Sequence, residues 1–241
     1  MRKPNIEPER LETLPLLKGL DRSDRARLLA HAELRRYGKN KLLFEEGGAP
    51  DCLFVLLSGM VELFASSGNR DSVVLILWPN DTFMPSAALF DAPYLVSARA
   101  LNPVQVLAFD AAGLREEVRR DSRLAYRFAQ ILAGQFRMTV RHIKDLKLRS
   151  GTRRLGAFLL RIVEETGKQG CADLPVAKGV LASRLGLTAV TLSRSLRVLR
   201  DRGVLVHGRR IILTDRERLE RFCGSDPLID SGEIELSVTA L

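Results

Sequence analysis

The sequence predicts an α+β chain in three consecutive parts, and three observations carry the prediction. Short apolar runs punctuated by Gly, Pro, Asn and Asp fill residues 37–110, the texture of strands joined by turns. One long segment with helical periodicity begins near Asp121. The last third holds short amphipathic segments, a tight glycine turn and a closing apolar hairpin.

Ahead of the strands, "LETLPLLKGLDRSDRARLLAHA" (residues 11–32) has helical spacing, with Asp21 and Ser23 placed to cap "RARLLAHA". From Tyr37 onward the runs "KLLFEEG", "CLFVLLSGMVELFAS", "SVVLILWPND", "YLVSARAL" and "VQVLAF" read as antiparallel strands of a sandwich or barrel. "GNRD" (residues 68–71) is the expected hairpin turn. In the long helix, Leu132, Phe136, Thr139, Ile143 and Leu146 are spaced as a heptad seam. Leu124, Phe128, Ile131 and Met138 form a neighbouring stripe. Two stripes predict two packing partners, the chain's own β region and a second copy of the helix. The alternative is one wide core-facing stripe in a monomer.

After residues 150–151, "TRRLGAFLLRIVEETG" predicts another amphipathic helix and "KQGCAD" a loop. "AKGVLASRLG" and "AVTLSRSLRVLRDRG" predict two short helices across the turn Gly186-Leu187-Thr188. "VLVHGRRIILT" reads as a hairpin turning near Gly208, "RERLERF" as a last helix, and residues 225–241 as a loose acidic tail. The expected division is a β-rich domain over 1–120, the long helix over 121–149, a helical domain with its hairpin over 150–224, and the tail.

A net charge of +9 points to a polyanionic partner, and residues 151–224 concentrate it, with 15 Lys and Arg against 7 Asp and Glu. No apolar run reaches the ~20 residues of a bilayer span, so no membrane partner is expected. "MRKPNIEPERLETLP" lacks the apolar stretch of a secretory signal, and Cys52, Cys171 and Cys223 do not make a disulfide framework. A cytoplasmic protein is expected. An enzyme is not: a cupin-like metalloenzyme, the weaker alternative, needs clustered histidines on neighbouring strands, and none lies between His31 and His142. No nucleophile-elbow pattern occurs either.

Helix, tight turn, helix and hairpin make the layout of a winged helix-turn-helix. Its turn needs a residue that tolerates a left-handed backbone, which Gly186 supplies, and a small residue between the helices, which Ala182 supplies. Leu181, Leu185, Leu187, Leu192 and Leu196 are its expected core. Thr188 is placed to cap the second helix, residues 189–202, leaving the first turn free for base edges. Ala189, Val190, Ser193, Arg194 and Arg197 fall on the outward side. The Arg194 fork suits guanine O6 and N7 together, and Ser193 suits a base or a phosphate. Thr191, Arg197, Arg200, Arg209 and Arg210 are expected at phosphates, where contacts position without specifying. A basic hairpin that binds protein is the alternative; the wing and the local charge favour double-stranded DNA.

These residues carry a resemblance. "LPVAKGVLASRLGLTAVTLSRSLRVLRDRGVL" resembles the DNA-binding domain of the CRP/FNR family of bacterial transcription regulators. "GGAPDCLFVLLSGMVELF" is similar to that family's β-roll signature, and "FDAAGLREEVRRDSRLAYRF" to its join between roll and dimerisation helix. The resemblance implies a sensory β-roll of the jelly-roll, cyclic-nucleotide-binding type, a homodimer, and two recognition helices on a two-fold symmetric site, with RNA polymerase as a further partner of an activator. One position departs. Where many members carry Glu-x-x-Ser-Arg, this chain keeps Ser193 and Arg194 but has Val190 for the Glu. A Glu accepts from cytosine N4, whereas a Val only touches a thymine methyl. The expected site is a palindrome related to the family's TTG-type element, altered or relaxed at that base pair.

The resemblance also frames the signal. Cyclic-nucleotide members hold ribose with an acid after a glycine and phosphate with an Arg-Ser pair. Met84-Pro85 and Tyr94-Leu95 occupy those positions here, so cyclic AMP is not expected. Oxygen-sensing members use clustered N-terminal cysteines, and none precedes Cys52, so no iron–sulfur cluster is expected. Some members bind haem; the donors here are His31, Cys52, Met60, Met84 and His142. "VRHIKDLKLRS" with "PYLVSARAL" is most similar to nitric-oxide-responsive denitrification regulators, which implies nitric-oxide sensing through haem. The competing likeness is a FixK-like member with no small ligand, controlled by abundance or by oxidation of Cys171, a redox candidate if exposed as a thiolate. A sensed signal would alter the roll against the long helix, and a population shift about residues 150–151 would move the recognition helices onto or off grooves about 34 Å apart.

Overall fold

In the computed structural model, which describes residues 8–68, 70–166, 170–224 and 226–230, the apolar runs of the first half form two four-stranded antiparallel sheets. The strands are β1 (Ala32–Tyr37), β2 (Leu42–Phe44), β3 (Cys52–Ser58), β4 (Val61–Ser67), β5 (Arg70–Leu77), β6 (Thr82–Phe83), β7 (Ser97–Ala100) and β8 (Val104–Asp110). One sheet runs β1-β8-β3-β6 and the other β2-β7-β4-β5, the expected β-roll. Central strand β3 is buried from Cys52 through Leu57 rather than on alternate residues, because both its faces are covered. Phe44 stacks on Phe54 at 5.4 Å and on Tyr94 at 4.2 Å, and Phe54 on Phe83 at 5.1 Å, an aromatic column. The Ser58-Gly59 pair ends β3: Gly59 has φ +87°, and a Cβ there would run into the Pro103 carbonyl.

Helices α1 (Pro8–Glu12), α2 (Arg22–Ala30), α3 (Pro85–Phe90), α4 (Ala111–Arg120) and α5 (Ser122–Leu148) accompany the roll. Asp21 caps α2 by accepting from the Asp24 N–H; Ser23, the other candidate cap, donates its hydroxyl to Asp21 instead. The strands begin at Ala32, not at Tyr37 as expected. As an edge strand paired only with β8, β1 buries Ala32 alone, so its Glu33, Arg35 and Arg36 mask the alternation. Ser67 pairs with Arg70, so the expected turn falls between them; Asn69 lies outside the described residues.

The described residues divide between 137 and 138 into two compact units. Within the first, Leu124, Phe128 and Ile131 of α5 are buried with Leu14, Leu16, Leu17, Leu28, Leu53 and Phe109. Gln135 donates to the Thr82 carbonyl at 2.9 Å on the same side. This stripe faces the roll, with Met138 half-buried beyond the division. On the seam, Leu132 is half-buried, and Phe136 (69% exposed), Thr139, Ile143 (50%) and Leu146 are exposed.

The second unit holds the end of α5, then α6 (Gly151–Thr166), β9 (Cys171–Asp173), α7 (Lys178–Arg184), α8 (Ala189–Arg200), β10 (Val204–His207), β11 (Arg210–Leu213), α9 (Arg216–Cys223) and α10 (Pro227–Asp230). Three expectations are corrected here. Residues 171–173, read as loop, form the third strand of the sheet β10-β11-β9, Cys171 opposite Ile212; three residues carry no period, so only the partner strand reveals them. Helix α8 ends at Arg200, with Asp201 as its C-cap, rather than at 202. Residues 227–230, read as loose tail, form α10; residues 231–241 lie outside the described residues.

Candidate nucleic-acid interface

The α7–α8 turn is built by local chemistry. Gly186 takes φ +64°, and the Leu187 N–H reaches back to the Ala182 carbonyl at 2.8 Å. Ala182, Leu181, Leu185 and Leu192 are buried at the crossing, with Leu187 and Leu196 half-buried. Thr188 is the N-cap of α8: its Oγ1 accepts the Thr191 N–H at 3.1 Å and lies 2.9 Å from the Thr191 hydroxyl. Ser195, on the inner face, is buried and shares a 2.9 Å hydrogen bond with Thr152 of α6, anchoring α8 from behind.

The outer face of α8 is different in kind. Ala189, Val190, Thr191, Ser193, Arg194, Arg197 and Arg200 are all exposed, Val190 at 60%. Among the described residues Arg194, Arg197 and Arg200 make no hydrogen bond or ion pair. A helix face carrying cations without internal partners, starting from a capped N-terminus, presents positive charge and fork donors outward.

The wing arginines are less free than expected. Arg209 donates from Nε and Nη2 to the Leu174 carbonyl (3.0 and 2.6 Å) and from Nη2 to the Pro175 carbonyl (2.9 Å). It therefore ties the wing to the segment ahead of α7 while remaining exposed. Arg210 remains exposed, 3.8 Å from Asp173. No local pattern signals the Arg209 staple, because its acceptors are main-chain atoms far off in sequence.

The residues singled out for a signal are engaged individually. The Tyr94 ring is buried; its hydroxyl accepts the Cys52 N–H at 3.1 Å and stands 2.9 Å from Asp51 Oδ1 and 3.0 Å from the Cys52 carbonyl, acceptors for its one proton. Burial raises the Tyr94 pKa, keeping it a neutral donor. Met84 sits half-buried at φ +64° before Pro85 opens α3. His31 caps the C-terminus of α2, packs against Gly113, where any Cβ would strike its ring, and has Nε2 3.8 Å from Glu117. Both His142 ring nitrogens lie 3.0 Å from Arg184 Nη1, in the second unit. Met60 is half-buried after Gly59. Among the described residues no three His, Cys, Asp or Glu side chains cluster as metal ligands.

Burial pushes the Cys52 and Cys223 thiols up to about 11, while Cys171 is half-buried. Thiolate is the reactive form, so iodoacetamide at pH 7.5 is expected to label Cys171 first. Cys52 and Cys223 should react only on unfolding or at strongly alkaline pH. Peptide mapping by mass spectrometry checks this, and fast native labelling of Cys52 would contradict it.

Comparison with known proteins follows the same division. A family described as "Cyclic nucleotide-binding domain" matches residues 34–121, and one described as "Crp-like helix-turn-helix domain" matches residues 153–222. The chain belongs to the CRP/FNR family. It is thus a transcription regulator with a DNA-binding helix-turn-helix. The CRP-like cAMP-activated global transcriptional regulator of Mycobacterium tuberculosis is 23% identical over 212 residues, covering 86% of this chain and 95% of that protein. The nitrogen fixation regulation protein FixK of Azorhizobium caulinodans is 24% identical over 193 residues, covering 77% of each. The structure of FixK2 from Bradyrhizobium japonicum aligns with a TM-score of 0.69 at 24% identity, over 81% of this chain and 98% of that one, a likeness of fold. These CRP/FNR relatives are regulators rather than enzymes. No described helix of this family member is long and apolar enough to cross a membrane.

Proposed function

We propose that this regulator is a cytoplasmic homodimer whose two α8 helices read a palindromic, TTG-related DNA site. The carrying observation is the outer face of α8, where Val190, Ser193, Arg194 and Arg197 stand exposed without internal partners beyond a Thr188 cap. Arg194 takes a guanine, Val190 relaxes its base pair, and Thr191, Arg200 and Arg210 meet phosphates. The exposed seam Phe136, Ile143 and Leu146, with Leu132 and Thr139, supports a second copy as partner, since large apolar side chains in heptad register gain most when a second helix covers them. RNA polymerase is the further partner in the case of an activator.

For the signal, Tyr94 supports a roll that does not use the family's cyclic-phosphate clamp: the residue at that position is a buried phenol bonded to the Cys52 main chain, not a cation. The haem donors do not fit that group well either. His31 is wedged between Gly113 and Glu117, the Cys52 thiol is buried and held protonated, and His142 faces Arg184. The reading favoured is therefore FixK-like, with control through abundance or Cys171 oxidation, and no step runs through haem.

The test is fluorescence anisotropy with a TTG palindrome, its scrambled form and variants at the base pair facing Val190, beside sedimentation of Ile143→Glu. Expected are a dimeric wild type that prefers the palindrome and tolerates change at that pair, and a monomeric variant that loses the preference. Equal affinity for palindrome and scrambled DNA at about 0.15 M salt would overturn the reading.

A further inference from the structure

Arg149 lies in the joint between α5 and α6 and is only 8% exposed. A buried guanidinium is costly unless its donors are taken up. Here the acceptors come from the segment after α9. Arg149 Nη1 donates to Asp230 Oδ1 at 2.7 Å, Nη2 to Asp230 Oδ2 at 2.6 Å, and Nη2 also to the Gly224 carbonyl at 2.8 Å. Asp145, one turn earlier, lies 3.3 Å from Nη1. Lys144 binds Asp226 at 3.2 Å, so α10 is held at two points on the end of α5.

The segment is preformed for this. Asp226 accepts the Leu228 N–H at 2.9 Å, and the Asp226 N–H donates to Asp230 Oδ2 at 2.9 Å, while Ile229 is buried beneath. From the joint, the bonds continue inward. The Arg149 carbonyl accepts from Arg154 Nη1 at 2.7 Å, and Arg154 Nε and Nη2 both donate to the Leu185 carbonyl, at 3.2 and 3.0 Å. Leu185 is the C-cap of α7, next to Gly186 of the helix-turn-helix. Gly151 belongs to the same contact, since a Cβ on it would collide with Leu187.

We propose that Gly224 and residues 226–230 are a latch on the α5–α6 joint, relayed through Arg149 and Arg154, both positioning residues, to the turn of the helix-turn-helix. Latched, the joint holds α7 and α8 in one orientation to the end of α5. Two recognition helices held this way engage two half-sites without first losing the freedom of a loose hinge. The consequence for DNA rests on the palindrome-reading proposed above. The latch is accordingly a regulatory contact, open to any change that removes α10 or neutralises Asp230.

The test uses the full chain with Asp230→Asn, which keeps the shape of α10 but removes its charge, and a chain ending at Gly224. Hydrogen exchange over residues 146–154 is followed together with affinity for the palindrome and for a single half-site. Expected are faster exchange at the joint with α8 unchanged, and palindrome affinity lowered roughly tenfold, within the usual range of intramolecular coupling, while half-site affinity holds. Unchanged exchange at the joint in Asp230→Asn overturns the latch, and so does an equal loss on both DNAs. If the wild type shows no palindrome preference, the exchange result alone decides the latch, separately from the DNA reading.

Discussion

Arg194→Ala is expected to remove about 1–3 kcal/mol of base discrimination from each half-site while leaving the protein's stability unchanged. Arg194 is exposed and makes no bond to any described residue, so its truncation leaves no orphaned partner in the fold. Its fork lies on the outer face of α8, nearer the capped N-terminus than Arg197, and matches both acceptors of guanine. Arg200→Ala, at the far end of the helix, should instead weaken binding to every sequence alike and flatten the salt dependence. Anisotropy titrations of both variants on specific and scrambled duplexes, at several salt concentrations, separate the roles. If Arg194→Ala weakened specific and scrambled binding by the same factor, Arg194 would be a phosphate contact.

Phe128→Ala is expected to destabilise the first unit by about 3–5 kcal/mol, the cost of lost transfer energy plus an unfilled cavity. Phe128 is 2% exposed and sits in a cluster drawn from α2, the residues between α1 and α2, β3, β8 and α5, so no single element can collapse into the space. Leu132→Ala, one turn on and half-buried on the seam, should cost far less in a denaturation experiment on isolated monomer. Urea unfolding followed separately in the two units is the measurement, since their transitions need not coincide. A loss below about 1 kcal/mol for Phe128 would mean that α5 does not share the roll's core.

What the sequence carried by itself was set by neighbours within a few residues. The stripes of α5 are legible because residues three and four apart share a helix face. Thr188, Gly186 and Ala182 are legible because a cap, a left-handed turn and a close crossing each demand a residue type at a fixed offset. The apolar runs of the roll show through because strands separated by turns leave a regular texture.

Long-range partners escaped it. Strand β1 hides behind Glu33, Arg35 and Arg36, and β9 exists only because β11 lies alongside. That Arg209 also bonds the Leu174 and Pro175 carbonyls is not legible in the sequence. "DPLID" reads as loose acidic tail because so short a helix carries no period; Arg149, far back in the chain, supplies the charge that its Asp230 meets. A side chain's type is written in the sequence, but whether its hydrogen bonds go to solvent, to DNA or to a distant main-chain carbonyl depends on what folding brings within three ångströms, and only the tertiary structure decided that.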